Sequence, residues 1–137
     1  MKLLIYGAGA IGSFLGGRLT LAGEDVTLVA RGAHHDALSS RGLILEGKSS
    51  GVPDPVRVRV CRPGEERGPY DLVFVTLKSQ QIAPAARHLR SLVATGGALV
   101  FPQNGLPWWY FQGIDSAWRD APIAALDPRG VLREAFP

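Results

Sequence analysis

A glycine-rich run near the amino terminus restricts the fold more than any other feature of this 137-residue chain. It reads Gly7-Ala8-Gly9-Ala10-Ile11-Gly12, follows an apolar stretch at Lys2–Tyr6 and leads into apolar residues at near-helical spacing over Ala10–Ala22. Strand, glycine turn and helix in this order are the context that a dinucleotide-binding motif requires. There the glycines permit the tight turn, let a pyrophosphate approach the backbone and allow close helix–strand packing. The run therefore predicts a pyrophosphate-binding loop; a glycine-rich turn without a ligand is the alternative.

Strands and helices alternate along most of the remaining chain. Further strands are predicted at Val26–Ala30, Leu72–Leu77 and Ala98–Pro102. Further helices are predicted at Ala33–Ser40 and at Ser79–Ala94 with Ser79 as its cap, and a helical turn at Pro107–Gln112. Such alternation is typical of a parallel sheet with right-handed crossovers. We therefore expect an α/β fold of Rossmann type with a doubly wound, mainly parallel sheet.

One pair of segments has the pattern of an antiparallel ribbon. Leu43–Glu46 and Val56–Cys61 are predicted to pair, with Gly47–Pro55 as their Gly/Ser/Pro-rich connection. Alternation at period two places Arg57 and Arg59 together on a solvated face. Cys61 is expected to be a structural strand residue, because neither a helix start nor a paired base is evident beside it.

Composition narrows the class of protein. A length of 137 residues suits one domain, residues 1–137, and the single cysteine excludes a disulfide scaffold. No apolar run approaches the roughly 20 residues of a membrane helix. The net charge is +3, but the arginines are spread along the chain with no basic stripe and stacking aromatics, so an anionic small molecule fits better than nucleic acid. We expect a soluble cytoplasmic protein that binds no metal.

The residue after the second strand distinguishes between cofactors. An NAD site places Asp or Glu there to bind the ribose 2′-hydroxyl, whereas this chain has Arg31. A guanidinium pairs with a 2′-phosphate that a carboxylate would repel, so Arg31 predicts NADP over NAD. A plain surface arginine is the alternative. His34 and His35 are expected to be solvated loop residues, although one of them could assist Arg31.

Two polar residues follow later strands, where ligands of open α/β sheets bind. Lys78 comes directly after Leu72–Leu77, and Asn104 follows Ala98–Pro102 just before Gly105. A lysine can hydrogen-bond a ribose hydroxyl or a substrate carboxylate, and an asparagine can both donate and accept. The alternatives are a solvated helix-start lysine and a turn-forming Asn-Gly pair.

Together these residues carry a resemblance to a known family. The chain resembles the N-terminal half of ketopantoate reductase (2-dehydropantoate 2-reductase) over nearly its whole length. The matching segments are Gly7–Gly12, Arg31-Gly32-Ala33-His34, Val75-Thr76-Leu77-Lys78 and Gln103-Asn104-Gly105. The resemblance implies NADPH-dependent reduction of the 2-keto group of ketopantoate to pantoate, a step in pantothenate and coenzyme A biosynthesis. It leaves a homodimer open.

The resemblance also implies roles for single residues. Gly7–Gly12 would hold the pyrophosphate, Arg31 the 2′-phosphate and Lys78 the nicotinamide-side ribose, while Asn104 would lie between cofactor and substrate. Enzymes of this family continue into a mainly helical C-terminal domain that supplies a lysine general acid and most substrate contacts. No residue of this chain matches that catalytic lysine, so none is assigned. We expect the family's C-terminal helical domain to be absent, the chain to be truncated near the last strand of its cofactor domain, and its turnover to be poor.

Two other functions stay open on the sequence. One is a non-catalytic NADP-binding module or fragment, and the other is a reductase of a different small 2-keto acid, since a fold does not fix a substrate. The aromatic segment Trp108-Trp109-Tyr110-Phe111 is expected to pack a short helix on the sheet edge. The alternatives for it are a wall of the cleft or a surface for the missing domain.

Overall fold

The computed structural model describes residues 1–45 and 55–137. Within these ranges the strands are β1 Lys2–Tyr6, β2 Asp25–Val29, β3 Arg59–Cys61, β4 Tyr70–Val75 and β5 Val93–Val100. The helices are α1 Ala10–Leu21, α2 Gly32–Arg41, α3 Ile82–Ser91 and α4 Val131–Ala135, with a 3-10 turn at Ser79–Gln81. No helix in the described part of the chain is both long enough and apolar enough to cross a membrane.

The strands form one sheet in the order β3-β2-β1-β4-β5, and every neighbouring pair is parallel. The predicted α/β fold of Rossmann type is therefore confirmed. From β1 the chain builds outward through β2 and β3 on one side, and β4 and β5 lie on the other. The point between β1 and β4, where the order reverses, is where such sheets bind ligands. The glycine run begins at this point, directly after β1.

The first of two compact units comprises Met1–Leu77 and Leu92–Pro102. Its core forms because β1 and β2 are apolar on both faces, as parallel strands tend to be, and their side chains from Leu3 to Tyr6 and from Val26 to Val29 are buried. Helix α1 lies close to this core through glycines. A Cβ at Gly16 would come within 2.9 Å of the Leu28 side chain, and one at Gly17 within 2.7 Å of Leu43.

The second unit comprises Lys78–Ser91 and Gln103–Pro137. Helix α3 buries an apolar stripe at Ile82, Ala86 and Leu89, and it packs with α4. Asp127 caps α4, since its Oδ2 accepts from the backbone N–H groups of residues 132 and 133 at 3.1 and 3.0 Å.

The aromatic residues of the second unit contact one another. The ring centroids of Trp108 and Trp109 lie 4.2 Å apart, and those of Phe111 and Trp118 lie 6.1 Å apart in a stacked arrangement. Residues 107–112 form hydrogen-bonded turns, as predicted, but the short helix expected at Trp108–Phe111 is wrong. Trp118 nevertheless leaves 65% of its surface exposed.

The predicted antiparallel ribbon is corrected by the structure. Its antiparallel part is a single bridge, in which Leu43 and Val56 exchange two backbone hydrogen bonds of 2.9 and 2.8 Å. The end of the second segment, Arg59–Cys61, instead pairs in parallel with β2. A short β-branched run fits either partner, and the sequence does not specify which. The predicted connection lies outside the described residues except for Pro55, as do Glu46 and Lys48.

The sequence-based prediction of where α3 ends and β5 begins is also wrong. The helix ends at Ser91 and the strand begins at Val93, although the helix was expected to reach Ala94 and the strand to start at Ala98. The two glycines within β5 explain the error, because glycine normally indicates the end of an element. Gly96 has a φ of +78°, and the β4–β5 register shifts beside it.

Candidate dinucleotide-binding site

The glycine loop after β1 has a conformation that requires its first and last glycines. Gly7 has a φ of +116°, which L side chains rarely adopt. A Cβ at Gly12 would collide with the carbonyl oxygen of Gly7 and lie 2.6 Å from Thr76 Oγ1. The start of α1 therefore packs directly against the turn and against the end of β4, as the spacing of the glycines predicts.

The middle glycine faces open space. A Cβ at Gly9, the N-cap residue of α1, would meet no atom of the described residues within 4 Å. No side chain of residues 1–45 or 55–137 caps this helix, and its first turn holds no acidic residue. Its first N–H groups are therefore left for an anion, and the helix dipole favours one there. The loop fits a pyrophosphate group, in the space that a side chain at position 9 would fill.

The carbonyl groups of the loop are held by side chains that sequence reasoning missed. Thr76 Oγ1 donates to Gly7 O at 2.6 Å, Ser13 Oγ donates to Ala8 O at 2.9 Å, and His34 Nε2 lies 2.6 Å from Ala8 O. The Ala8 N–H donates to Val29 O at 2.9 Å. A polar residue one position beyond β4, the strand next to β1, is the sequence signal that would have pointed to Thr76.

Arg31 is the N-cap residue of α2 and lies at the same edge of the sheet. Its side chain is exposed, and among residues 1–45 and 55–137 its guanidinium forms no hydrogen bond or ion pair. Burial raises the pKa of the Tyr6 phenol at the end of β1, and the positive charge of Arg31 opposes that rise. The guanidinium is therefore within electrostatic range of the strand end that leads into the glycine loop, and the first turn of α2 has no carboxylate beside it.

The expectation that both histidines are solvated loop residues holds only in part, since His34 is exposed but neither residue lies in a loop. Both lie in α2, where His34 reaches the glycine loop and His35 is buried. The Nδ1 atom of His35 is 3.0 Å from Asp36 Oδ1, which also accepts from Arg62 at 2.6 Å. The hydrogen bond from His35 and the charge of Arg62 lower the pKa of Asp36.

The other two predicted site residues belong to the second unit. Lys78 is exposed and is the N-cap residue of the 3-10 turn, where its N–H donates to Gln81 Oε1 at 3.1 Å. Gln81 therefore caps this turn, and the expected cap by Ser79 is wrong. Asn104 is exposed in a bend before Gly105, whose φ is +103°. Both residues follow strands in the chain, and their contacts with a cofactor remain predictions.

Cys61 has the properties expected of a structural residue. Its side chain is half-buried in β3, and burial, together with the charges of Glu66 and Glu65, raises the pKa of its thiol to about 11. A thiol with such a pKa is almost fully protonated at neutral pH, which makes it a poor nucleophile.

Comparison with known proteins identifies the family. Residues 3–107 match the sequence profile described as ketopantoate reductase PanE/ApbA. The chain belongs to the ketopantoate reductase family. A relative named 2-dehydropantoate 2-reductase, from Mesorhizobium japonicum, is 39% identical over 135 residues, which cover 96% of this chain and 40% of the relative. Another of the same name, from Pyrococcus horikoshii, is 39% identical over 106 residues, covering 77% of this chain and 34% of the relative.

Solved structures agree with this assignment to the ketopantoate reductase family. A crystal structure described as a ketopantoate reductase from Ralstonia solanacearum superposes with a TM-score of 0.85 at 34% identity, covering 99% of this chain and 41% of that protein. A ternary structure of D-mandelate dehydrogenase with NADH and anilino(oxo)acetate gives a TM-score of 0.66 at 25% identity, covering 78% of this chain and 35% of that one. The chain thus spans about 40% of the length of its longest-matching relatives.

Proposed function

We propose that this chain is the NADPH-binding part of a 2-dehydropantoate 2-reductase, which reduces ketopantoate to pantoate. The observation that carries the proposal is the 39% identity over 135 residues to a protein named for that reaction. The loop after β1 supports it, because an uncapped helix start with no acidic residue suits a pyrophosphate. The cytoplasmic location and the place in coenzyme A biosynthesis stay predictions.

The choice of NADPH rests on Arg31. A 2′-phosphate carries up to two negative charges, and a guanidinium can pair with it through two parallel hydrogen bonds. Arg31 has an exposed side chain, no partner within the described residues and no carboxylate in the helix turn that it begins. These are the conditions under which an arginine is available to an incoming phosphate.

The remaining residues have positioning roles in this proposal. The bound nicotinamide would supply a hydride to the keto carbon, and the chain's own residues would hold the cofactor still. Gly7–Gly12 would bind the pyrophosphate, Lys78 the nicotinamide-side ribose, and Asn104 would lie between cofactor and substrate. Reduction of a ketone also needs a donor to the developing alkoxide, and we assign no such general acid within residues 1–137.

The proposed reductase activity is tested in a chimeric protein, because residues 1–137 are not expected to turn over substrate alone. Residues 1–137 are joined to the portion of the Mesorhizobium japonicum relative that they do not match, and oxidation of NADPH is followed with ketopantoate. We expect the chimera to turn over ketopantoate with NADPH, and the 137-residue chain to bind NADPH with turnover near background. A folded chimera that binds NADPH but reduces no ketopantoate would favour a non-catalytic NADP-binding module.

A reductase of a different 2-keto acid is the second candidate. It is favoured by the likeness to D-mandelate dehydrogenase and by the exposed aromatic residues Tyr110 and Trp118 in the second unit. The chimera is therefore also assayed with the 2-keto acid that corresponds to mandelate. Preference for that aromatic acid over ketopantoate, measured as kcat/KM, would support the second candidate.

A further inference from the structure

We infer that His34 is a positioning residue of the dinucleotide site, which holds the glycine loop in its binding conformation through the carbonyl group of Ala8. One part of this inference, that the contact tightens binding of the cofactor, rests on the proposed function. The contact itself, between a residue in the first turn of α2 and a residue of the loop after β1, is independent of that function.

The contact is a defined hydrogen bond with one possible direction. His34 Nε2 lies 2.6 Å from Ala8 O, and a carbonyl oxygen can only accept, so Nε2 carries the proton. The neutral Nε2–H tautomer and the doubly protonated ring both satisfy this requirement. Ala8 is only 4% exposed, so its carbonyl depends largely on protein donors, of which Ser13 Oγ at 2.9 Å is the second.

The direction of this carbonyl matters for an anion-binding loop. A peptide group that rotates exchanges the positions of its C=O and its N–H, and a carbonyl oxygen turned toward a pyrophosphate would repel it. The Ala8 carbonyl is held by His34 and Ser13, and the preceding carbonyl, of Gly7, is held by Thr76. The peptide group that carries the Ala8 carbonyl also carries the N–H of Gly9, the N-cap residue of α1, so holding this carbonyl keeps that N–H from rotating away.

The same bond joins two parts of the proposed site. His34 follows Arg31 by three residues, and α2 begins at Gly32, so the segment that carries the proposed 2′-phosphate contact is tied directly to the loop that would bind the pyrophosphate. His34 needs no contact with the 2′-phosphate for this role. Loss of the His34 side chain should therefore weaken the binding of NADPH and of NADH alike, whereas loss of Arg31 should weaken the binding of NADPH alone.

The test compares His34→Ala with His34→Gln in the purified protein, using calorimetric titration with NADPH and with NADH. The Gln side chain can place an N–H near the position of Nε2 and so replace the donor. We expect His34→Ala to lower the affinity for both dinucleotides by the same factor, about 3- to 10-fold, because one hydrogen bond is lost. His34→Gln should restore affinity to within about twofold of the parent.

Amide hydrogen exchange of Ala8 and Ser13, whose N–H groups donate to Val29 O and Gly9 O, is the second arm and is measured without nucleotide. We expect faster exchange of these amides in His34→Ala than in the parent or in His34→Gln, with unchanged melting of the whole protein. His88→Ala, in which an exposed histidine of the second unit is removed, serves as the matched control and should alter neither readout.

Several results would overturn the inference. If amide exchange and dinucleotide affinity in His34→Ala equal those of the parent, the hydrogen bond does not hold the loop. If His34→Gln does not restore the affinity, the N–H donor is not the property of His34 that matters. If His34→Ala lowers the affinity for NADPH but not for NADH, His34 contacts the 2′-phosphate instead. If the parent binds neither dinucleotide, the proposed function fails, and the exchange arm still decides whether His34 positions the loop.

Discussion

Gly12 shows how a single position ties the fold to the proposed site. A side chain there would collide with the Gly7 carbonyl and with Thr76 Oγ1, neither of which can move without disturbing the turn after β1. We predict that Gly12→Ala lowers the free energy of unfolding by about 1–3 kcal/mol, the usual range for overpacking. Urea denaturation measures this, and a variant as stable as the parent would contradict the close packing of α1 on the turn.

Gly9 is the control for steric crowding, because it belongs to the same glycine run but has open space where a Cβ at Gly12 would collide. A methyl group at position 9 has open space around it, and the backbone there, with a φ of −72°, suits alanine. We predict that Gly9→Ala unfolds at nearly the same urea concentration as the parent but binds dinucleotides about tenfold more weakly or worse, because the methyl group occupies the ligand's space. Parent-like affinity in this variant would place the pyrophosphate elsewhere.

At the scale of elements, β3 is a three-residue strand at the edge of the sheet, and Cys61 is its last residue. The raised pKa of its thiol, about 11 against an ordinary 9.0, predicts slow alkylation near pH 8 and faster reaction once the protein is unfolded by urea. The native state keeps the thiol proton to higher pH than the unfolded state does, so this group's contribution to stability falls as pH rises from about 9 to 11. Equal alkylation rates in the native and the unfolded protein would contradict the pKa shift.

The elements that the sequence predicts well are those whose signal is local. Strand β1, the glycine turn and α1 follow from consecutive residues. The parallel pairing of Arg59–Cys61 with β2 and the glycine-interrupted β5 depend on neighbouring strands. For the same reason the hydrogen bonds of His34 and Thr76 to the glycine loop escape sequence reasoning, since they join residues separated by 26 and 69 positions.

At the scale of the whole molecule, the chain combines a parallel sheet unit with a second unit made of helices and turns. The sheet unit carries the glycine loop and Arg31, and the second unit carries Lys78 and Asn104. The match over residues 3–107 assigns the chain to its family. The proposed activity is named for longer proteins, and this chain spans about 40% of the length of one such relative. Cofactor selection is the part of that activity that these residues can be tested for directly.

The central claim is that Arg31 selects NADPH, and calorimetric titration of the protein and of Arg31→Ala with NADPH and NADH tests it most directly. Arg57→Ala, which removes another exposed arginine of the first unit, is the control and should leave both affinities unchanged. We predict that the parent binds NADPH about tenfold or more tightly than NADH, since a hydrogen bond to a charged group contributes about 1.5–3 kcal/mol. Arg31→Ala should remove that preference and leave the affinity for NADH nearly unchanged. Equal affinity of the parent for the two dinucleotides, or an equal loss for both in Arg31→Ala, would contradict the claim.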